Sequence, residues 1–312
     1  MTIVCVTPNA AIDRTLIVPG WRVGEVQRPE HVIVAAGGKG LNVARAIRTL
    51  GGDPLCLGPL GGHAGRQLAD LAQQEELRSA WTWIASETRT CTIVLDPTTG
   101  TSTGLYETGE PLSRDEWLRL SEGVQRESAD AELVCFSGSL PLGVSTSDFD
   151  VLLRALSAAG RSVWVDTSGA ALETACQING IGVKVNNAEI GALMQCEVTS
   201  LDAAGRAANE ARQRGAAMII VTLGQTGAVL STESGTWHAS PPVIRPMNTT
   251  GSGDAFLGSW LLALVERCAM SEALRRAVAA GAANALSTSG GCFLRSVYEQ
   301  ILAEVTVHRL SA

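Results

Sequence analysis

Short aliphatic and β-branched runs recur along this chain, and most are followed by stretches whose apolar residues return every three or four positions. The runs Ile3–Val6, Leu133–Phe136, Ser162–Asp166, Gly182–Val185 and Met218–Thr222 are nearly continuously apolar. That pattern predicts strands covered on both faces. Helical periodicity appears over Leu41–Leu50, Gly65–Gln74, Arg114–Glu127, Ser147–Ala159, Leu201–Arg214, Gly253–Val265 and Ser271–Leu286. In Ser147–Ala159, Phe149, Leu152, Leu153 and Leu156 share one face behind Ser/Thr capping residues. Strand–helix–strand order through residues 130–230 implies right-handed crossovers and a mostly parallel sheet, an α/β fold.

Two stretches break this rhythm. Arg14–Ala36 alternates around Leu16, Val18, Val32 and Val34, and Thr88–Tyr106 carries Cys91, Ile93 and Leu95 into the turn-like Asp96–Gly100. These segments either pair into a small sheet of their own or lie as edge hairpins on the main sheet. The first arrangement is preferred. No repeat, low-complexity tract or linker interrupts the sequence, so residues 1–312 are expected to form one domain with a β appendage from about 14–36 and 88–106.

Composition narrows the function. The chain has 312 residues, 46% hydrophobic and 18% charged, with a formal charge of −7. An acidic chain is a poor match for nucleic acid, whose phosphates need a basic face. Eight cysteines without a C-x-x-C pair read as buried free thiols in a reducing compartment. The first residues lack a signal-peptide pattern and no apolar run reaches the ~18 residues of a membrane span. A cytoplasmic protein is expected. The four histidines, His31, His63, His238 and His308, lack metal-ligand spacing and read as surface or satisfied residues. Of the 24 basic residues only Lys39 and Lys184 are lysines. In a chain that otherwise uses arginine, a retained lysine points to a need for a compact ammonium.

Both lysines fall in small-residue clusters suited to anion chemistry. Asn248–Gly258 places Gly251, Ser252 and Gly253 where an irregular segment opens a helix. Free N–H groups at such an end bind phosphate oxygens. Asp254 follows in the first turn, where a carboxylate can take a proton from an attacking hydroxyl, or simply stabilise its own helix. The run Gly37, Gly38, Lys39, Gly40, Leu41, Asn42 enters another helix from a β segment and offers close backbone approach, a cation and an amide. Lys184, Asn186 and Glu189 cluster at a strand end, where ligands collect in parallel α/β folds. Lys184 suits a phosphate, and Asn186 and Glu189 suit metal-bound water or a plain helix cap. Asp13, Arg89, Ser139 and the glycine turn Thr222–Gly227 are weaker candidates. Neither Walker A nor the dinucleotide fingerprint fits, because Gly38-Lys39-Gly40 lacks the Walker ending and Phe256 stands where a glycine is needed.

Taken in order, these clusters resemble those of the phosphofructokinase-B/ribokinase family of carbohydrate kinases, over essentially the whole chain. Gly37–Asn42 is similar to the family's N-terminal signature and Thr250–Asp254 to its C-terminal one. Lys184–Glu189 resembles its Lys-Pro-Asn-x-x-Glu, and Ser137–Gly143 its Ser-Gly-Ser-Leu-Pro-x-Gly. The resemblance implies a doubly wound α/β body with a β-sheet lid, often a dimer contact. It implies ATP and Mg²⁺ as cofactors. Asp254 would be the base, with the amides of Gly251, Ser252 and Gly253 as the anion hole. Asp13, Gly37, Gly38, Lys39, Asn42, Arg89 and Ser139 would hold the sugar or its phosphate. Lys184, Asn186, Thr222, Gly224, Gly227, Gly281 and Ala282 would serve ATP, and Glu189 a metal ion through water. Within the family, Gly37–Gly40, Thr7–Asp13 and Glu25–Arg28 are most similar to kinases of phosphorylated ketohexoses. Lys39, Arg89 and Arg28 suit a dianionic sugar phosphate. Ala10, Val185 and Leu142 replace prolines of that branch, and Cys91 stands where an asparagine is common. The other readings are a kinase of an unphosphorylated sugar or nucleoside, and a non-catalytic sugar-phosphate sensor.

Overall fold

Alternation along the first strand already places two cores. In β1 (Thr2–Val6), Ile3 and Cys5 face one apolar layer while Val4 and Val6 face another. The computed structural model describes residues 2–288 and 290–310. After β1 come β2 (Ala11–Ile17), β3 (His31–Gly37) and α1 (Lys39–Thr49). Next are β4 (Asp53–Gly61), α2 (Gly62–Gln74), β5 (Arg78–Ile84), β6 (Arg89–Asp96) and β7 (Thr101–Tyr106). Helices and strands then alternate as α3 (Arg114–Glu127), β8 (Leu133–Ser137), α4 (Thr146–Ala158), β9 (Ser162–Asp166), α5 (Gly169–Cys176) and β10 (Gly182–Asn186). They continue through α6 (Asn187–Met194), α7 (Leu201–Gln213) and β11 (Met218–Thr222) to the hairpin β12 (Ala228–Thr232) and β13 (Gly235–Ser240). The chain closes with α8 (Ser252–Val265), α9 (Met270–Ala285), α10 (Arg295–Glu304) and β14 (Thr306–Arg309).

The main sheet runs β14-β13-β12-β11-β10-β9-β8-β1-β4-β5. From β11 to β5 every neighbour is parallel, and β12, β13 and β14 extend the edge antiparallel. This is the doubly wound, mostly parallel α/β architecture that the alternating pattern and the resemblance implied. Helices α1, α8 and α9 pack on one face, and α3, α4 and α7 on the other. Every helix expected from periodicity is present within three residues of its expected ends.

The two helix-free segments form a separate four-stranded sheet, β3-β2-β6-β7, rather than hairpins on the main edge. It begins earlier than the apolar alternation suggested. Ala11 pairs with both Gly37 and Arg89, so small residues that carry little periodic signal are already strand. The interior strand β4 also escaped the pattern, because Pro54, Gly58, Pro59 and Gly61 read as turn residues. Gly58 has a packing reason: a Cβ there would lie 2.5 Å from the Thr7 carbonyl oxygen. All eight cysteines are free. Five are buried as expected, whereas Cys196 is exposed and Cys268 and Cys292 are half-buried.

Close approach of α1 and α8 brings the two glycine clusters together. Gly258 permits it, since a Cβ there would lie 2.6 Å from the Val43 carbonyl oxygen and 2.9 Å from the Ala46 Cβ. Alanine improves helix propensity by about 1 kcal/mol, but overpacking costs about 1–3 kcal/mol. Gly258→Ala should therefore lower the unfolding free energy in urea. An unchanged or raised midpoint would show that propensity, not helix approach, sets residue 258.

Candidate active site

Three strand and helix ends converge on one carboxylate. Asp166, the last residue of β9, is fully buried. Lys39, the first residue of α1, places Nζ 3.2 Å from its Oδ1, and Lys184, from β10, places Nζ 3.0 Å from its Oδ2. The only two lysines of the chain thus share one acid. Burial by itself would raise the Asp166 pKa, but Lys184 and Lys39 outweigh it and hold the carboxylate below its ordinary range. Lys39 is in turn raised: burial opposes its charge, and Asp166, Asp254 and Glu189 favour it. Ser137 Oγ donates to Asp166 Oδ2 at 3.5 Å, and the Gly138 N–H donates to the Asp166 backbone carbonyl at 2.9 Å, which ties the end of β9 to the end of β8.

Asp254 lies in the first turn of α8 and is 5% exposed. Its Oδ2 accepts a hydrogen bond of 2.8 Å from Asn42 Nδ2. Burial raises its pKa, and the Asp166 charge raises it further; Lys184, Lys39 and the Asn42 bond pull it back without cancelling the rise. An edge-to-face contact of Trp164 and Trp260, with ring centroids 5.5 Å apart, braces the strand of Asp166 against the helix of Asp254.

The amides at this helix end are shared out unevenly. Gly251 is the N-cap at φ 78°, a left-handed conformation that glycine adopts without strain. The Ser252 N–H donates to the Thr249 carbonyl at 3.1 Å. Of the three amides expected to face an anion, those of Gly251 and Gly253 make no bond among the described residues, and that of Ser252 is turned inward. A Cβ at Gly253 would lie 2.7 Å from Lys184 Nζ. The ammonium expected to serve ATP therefore sits directly over the helix N-terminus.

On the other side of Asn42 lies the second cluster. Asp13, on β2, fills the space that a Cβ at Gly37 would occupy, 2.3 Å from its Cγ. Burial pushes Asp13 up to about 6, against the lowering charges of Arg45 and Arg89. Asp13 pairs in register with Cys91 on β6, so the cysteine stands beside the half-buried acid. Gly38 is at φ 120°, before Lys39 starts the helix. Arg89 Nη1 donates to the Glu107 carbonyl and Nη2 to the Asn9 carbonyl, both at 2.9 Å, while its buried Nε has no partner among the described residues. Asn9 Nδ2 reaches Ser139 Oγ at 3.4 Å. Arg28 is exposed in the loop between β2 and β3.

Asn186 and Glu189 form a capping box on α6: Asn186 Oδ1 accepts from the Glu189 N–H and Glu189 Oε2 from the Asn186 N–H, each at 2.8 Å. The helix-cap reading of these residues is thus realised, and Glu189 Oε1 makes no hydrogen bond among the described residues. Thr222 Oγ1 donates to the Val185 carbonyl, linking the Gly224–Gly227 turn to the strand of Lys184. Gly224 and Gly227 hold φ of 59° and 93°. His238 is buried and donates Nε2–H to the Thr226 carbonyl at 2.8 Å, pinning that turn from below. Gly281 and Ala282 lie inside α9. Gly281 backs the Ser252 carbonyl, and Ala282 is buried in the core.

Sequence reasoning missed Asp166, although an acid ending a buried parallel strand carries a positional signal. It also missed Arg45, which hides in a helix face of small residues.

Removing one partner from a buried charge cluster costs about 3–5 kcal/mol. Asp166→Ala should lose that much unfolding free energy at pH 7. The Asp166 pKa is lowered by folding, so its stabilisation is complete above the ordinary aspartate value of about 4 and is lost as pH falls further. Urea midpoints of the variant and the parent should converge in acid; a constant gap across pH would contradict the ion-cluster account.

Among the described residues no helix is long and apolar enough to cross a membrane. The family model for pfkB family carbohydrate kinases matches residues 1–294. The ATP-dependent 6-phosphofructokinase isozyme 2 of Escherichia coli is 36% identical over 253 residues, covering 80% of this chain and 82% of that protein. The 1-phosphofructokinase of Bacillus subtilis is 27% identical over 305 residues, covering 98% and 99%. The crystal structure of the Escherichia coli phosphofructokinase-2 in complex with fructose-6-phosphate superposes with a TM-score of 0.88 at 31% identity, over 97% of this chain and 98% of that one. With two helix-opening signatures, a doubly wound sheet and this match along nearly its full length, the chain belongs to the pfkB family of carbohydrate kinases.

Proposed function

We propose that this chain transfers the γ-phosphoryl group of ATP to a free hydroxyl of a ketohexose monophosphate, giving the bisphosphate. Fructose 1-phosphate, fructose 6-phosphate and tagatose 6-phosphate are the acceptors in view. The observation that carries this reading is the Asn42-held carboxylate of Asp254 beside the amides of Gly251 and Gly253, unpartnered among the described residues, with Lys184 over the helix end and Lys39 on the same Asp166. Asp254 accepts the hydroxyl proton as the sugar oxygen attacks phosphorus in line. Its raised pKa suits a base that must also release the proton. Gly251 and Gly253 donate to the transferring group, and Lys184 neutralises charge that spreads over its oxygens.

The acceptor would lie between Asp13, Asn42 and the Gly37–Lys39 turn, with its phosphate toward Arg89, Asn9 and Ser139. Arg89 supports a phosphorylated acceptor, because its planar fork, with an Nε unpartnered among the described residues, suits a dianion. Lys39 does not stand free for that phosphate; tethered to Asp166, it is placed for the transferring group as well as the sugar. Thr222, Gly224, Gly227, Lys184 and Asn186 would hold ATP, with Gly281 and Ala282 backing the helix end.

No three His, Cys, Asp or Glu side chains converge as a cation cage among the described residues. Mg²⁺ keeps most of its waters and takes phosphate oxygens, so the spare oxygen of Glu189 fits a water-mediated role. When bound with the nucleotide, the ion would neutralise phosphate charge. The small sheet would act as a lid that excludes water. Exposed Val32, Ile33, Leu105 and Tyr106 on that sheet support a homodimer through it. A cytoplasmic enzyme without nucleic-acid or membrane partners fits the acidic charge.

Asp254→Asn keeps the shape of the side chain and should lower kcat by about 10²–10⁴. Turnover near the parent level would refute the base assignment. Coupled ADP detection across the three phosphosugars and their free sugars should show turnover of a phosphorylated ketohexose only. Arg89→Ala should raise the KM for that acceptor about tenfold or more, the scale of one charged hydrogen bond, and leave the KM for ATP alone. Preference for a free sugar, or a loss confined to ATP, would overturn the acceptor assignment.

A further inference from the structure

Arg45 stands one helical turn beyond Asn42 on α1, and its side chain is 8% exposed. Nη1 donates to Asn42 Oδ1 at 2.8 Å. Nη2 donates to Glu75 Oε1 at 2.8 Å and to the Ala36 carbonyl, and Nε donates to Glu75 Oε2. Glu75 caps the end of α2, and Ala36 lies on β3 next to Gly37. One guanidinium therefore joins the small sheet, α2 and the amide that touches Asp254.

The chemistry of the two ends of Asn42 makes this more than an ion pair. An asparagine amide carries donors at one end and an acceptor at the other, in nearly the same shape. Arginine carries donors only. With Arg45 on one side, only Oδ1 can face it, so Nδ2 must face Asp254. Without that constraint the amide is free to turn and set an oxygen against the carboxylate. The bond to Asp254 Oδ2 also leaves Oδ1 as the oxygen available for a proton. Glu75 alone would satisfy the charge of Arg45, whereas the contacts to Asn42 and Ala36 are specific to a planar fork.

We propose that Arg45 is a positioning residue for phosphoryl transfer: it locks the orientation of the Asn42 amide, and through it the oxygen that Asp254 presents to the acceptor, and it ties that orientation to β3 of the small sheet. The inference rests on the reading of Asp254 as the base. Lys184, Lys39, Asp166 and Asp13 also act on Asp254, and the substitutions below leave all four in place.

The test uses the full chain, ATP and whichever phosphosugar the panel shows to be turned over. Arg45→Met should lower kcat roughly 10–100-fold, the scale of a small misplacement of reacting groups, with the KM for ATP within about twofold. The acid limb of kcat against pH should move to higher pH, because the Asn42 bond is one of the influences that lower the Asp254 pKa. In a double-mutant cycle, Arg45→Met should add little to Asn42→Ala, since both break one relay. Arg45→Lys and Glu75→Gln carry the same test if thermal melting shows that Arg45→Met does not fold; each should lose less and shift the limb the same way. Folded variants with parental kcat and an unmoved limb, or losses that multiply in the double variant, would overturn the inference. Asp254→Asn separates the two levels. If it stays active, the base reading fails and this one with it. If it is inactive while the Arg45 variants match the parent, only the role of Arg45 fails.

Discussion

A fully buried acid between two ammonium groups is the arrangement on which the rest of this cleft depends. Asp166 alone would be expensive at the end of β9, and Lys184 alone equally so. Together with Lys39 they satisfy one another. Two positive groups are thereby fixed near the α8 N-terminus before any anion arrives. Groups held in place in this way need no reorganisation when charge develops on a transferring phosphoryl group, and that is where electrostatic catalysis gains most. Asp166 also has a second effect. Its negative charge, with burial, holds the Asp254 carboxylate above its usual range. One structural acid thus shapes both the cationic and the basic half of the proposed chemistry.

The fold was largely legible because the helices and central strands bury whole faces, and burial writes itself into periodicity. Two of the elements that escaped carry little side-chain signal. β4 is interior yet rich in proline and glycine, and the first residues of β2 are alanines. The site was legible to the extent that it uses backbone. Glycines at 37, 38, 251 and 253 mark places where a Cβ or an ordinary φ is excluded, and sequence displays them directly. Side-chain partnerships across the fold were not displayed. That Lys39 and Lys184 meet on Asp166, or that Asn42 reaches Asp254 from 212 positions away, depends on which strand ends become neighbours. The capping box of Asn186 and Glu189 shows the converse, since a local motif had an adequate local explanation.

The small sheet and the main body meet where β3 runs into α1. Gly37 gives room to Asp13, Gly38 turns the chain, and Lys39 starts the helix. Groups proposed for the acceptor and for the transferring phosphoryl are thus consecutive in sequence at this point. No loop separates the sheet from the helix at residues 37–39, so a displacement of β3 would reach Lys39 directly.

The scarcity of lysine has a practical consequence. Both lysines of this chain lie on Asp166. Lys39 keeps 42% of its side chain exposed, whereas Lys184 keeps 5%. Acylating reagents that scatter over the side chains of most proteins would here find one half-exposed lysine, and its acylation would report directly on the Asp166 cluster.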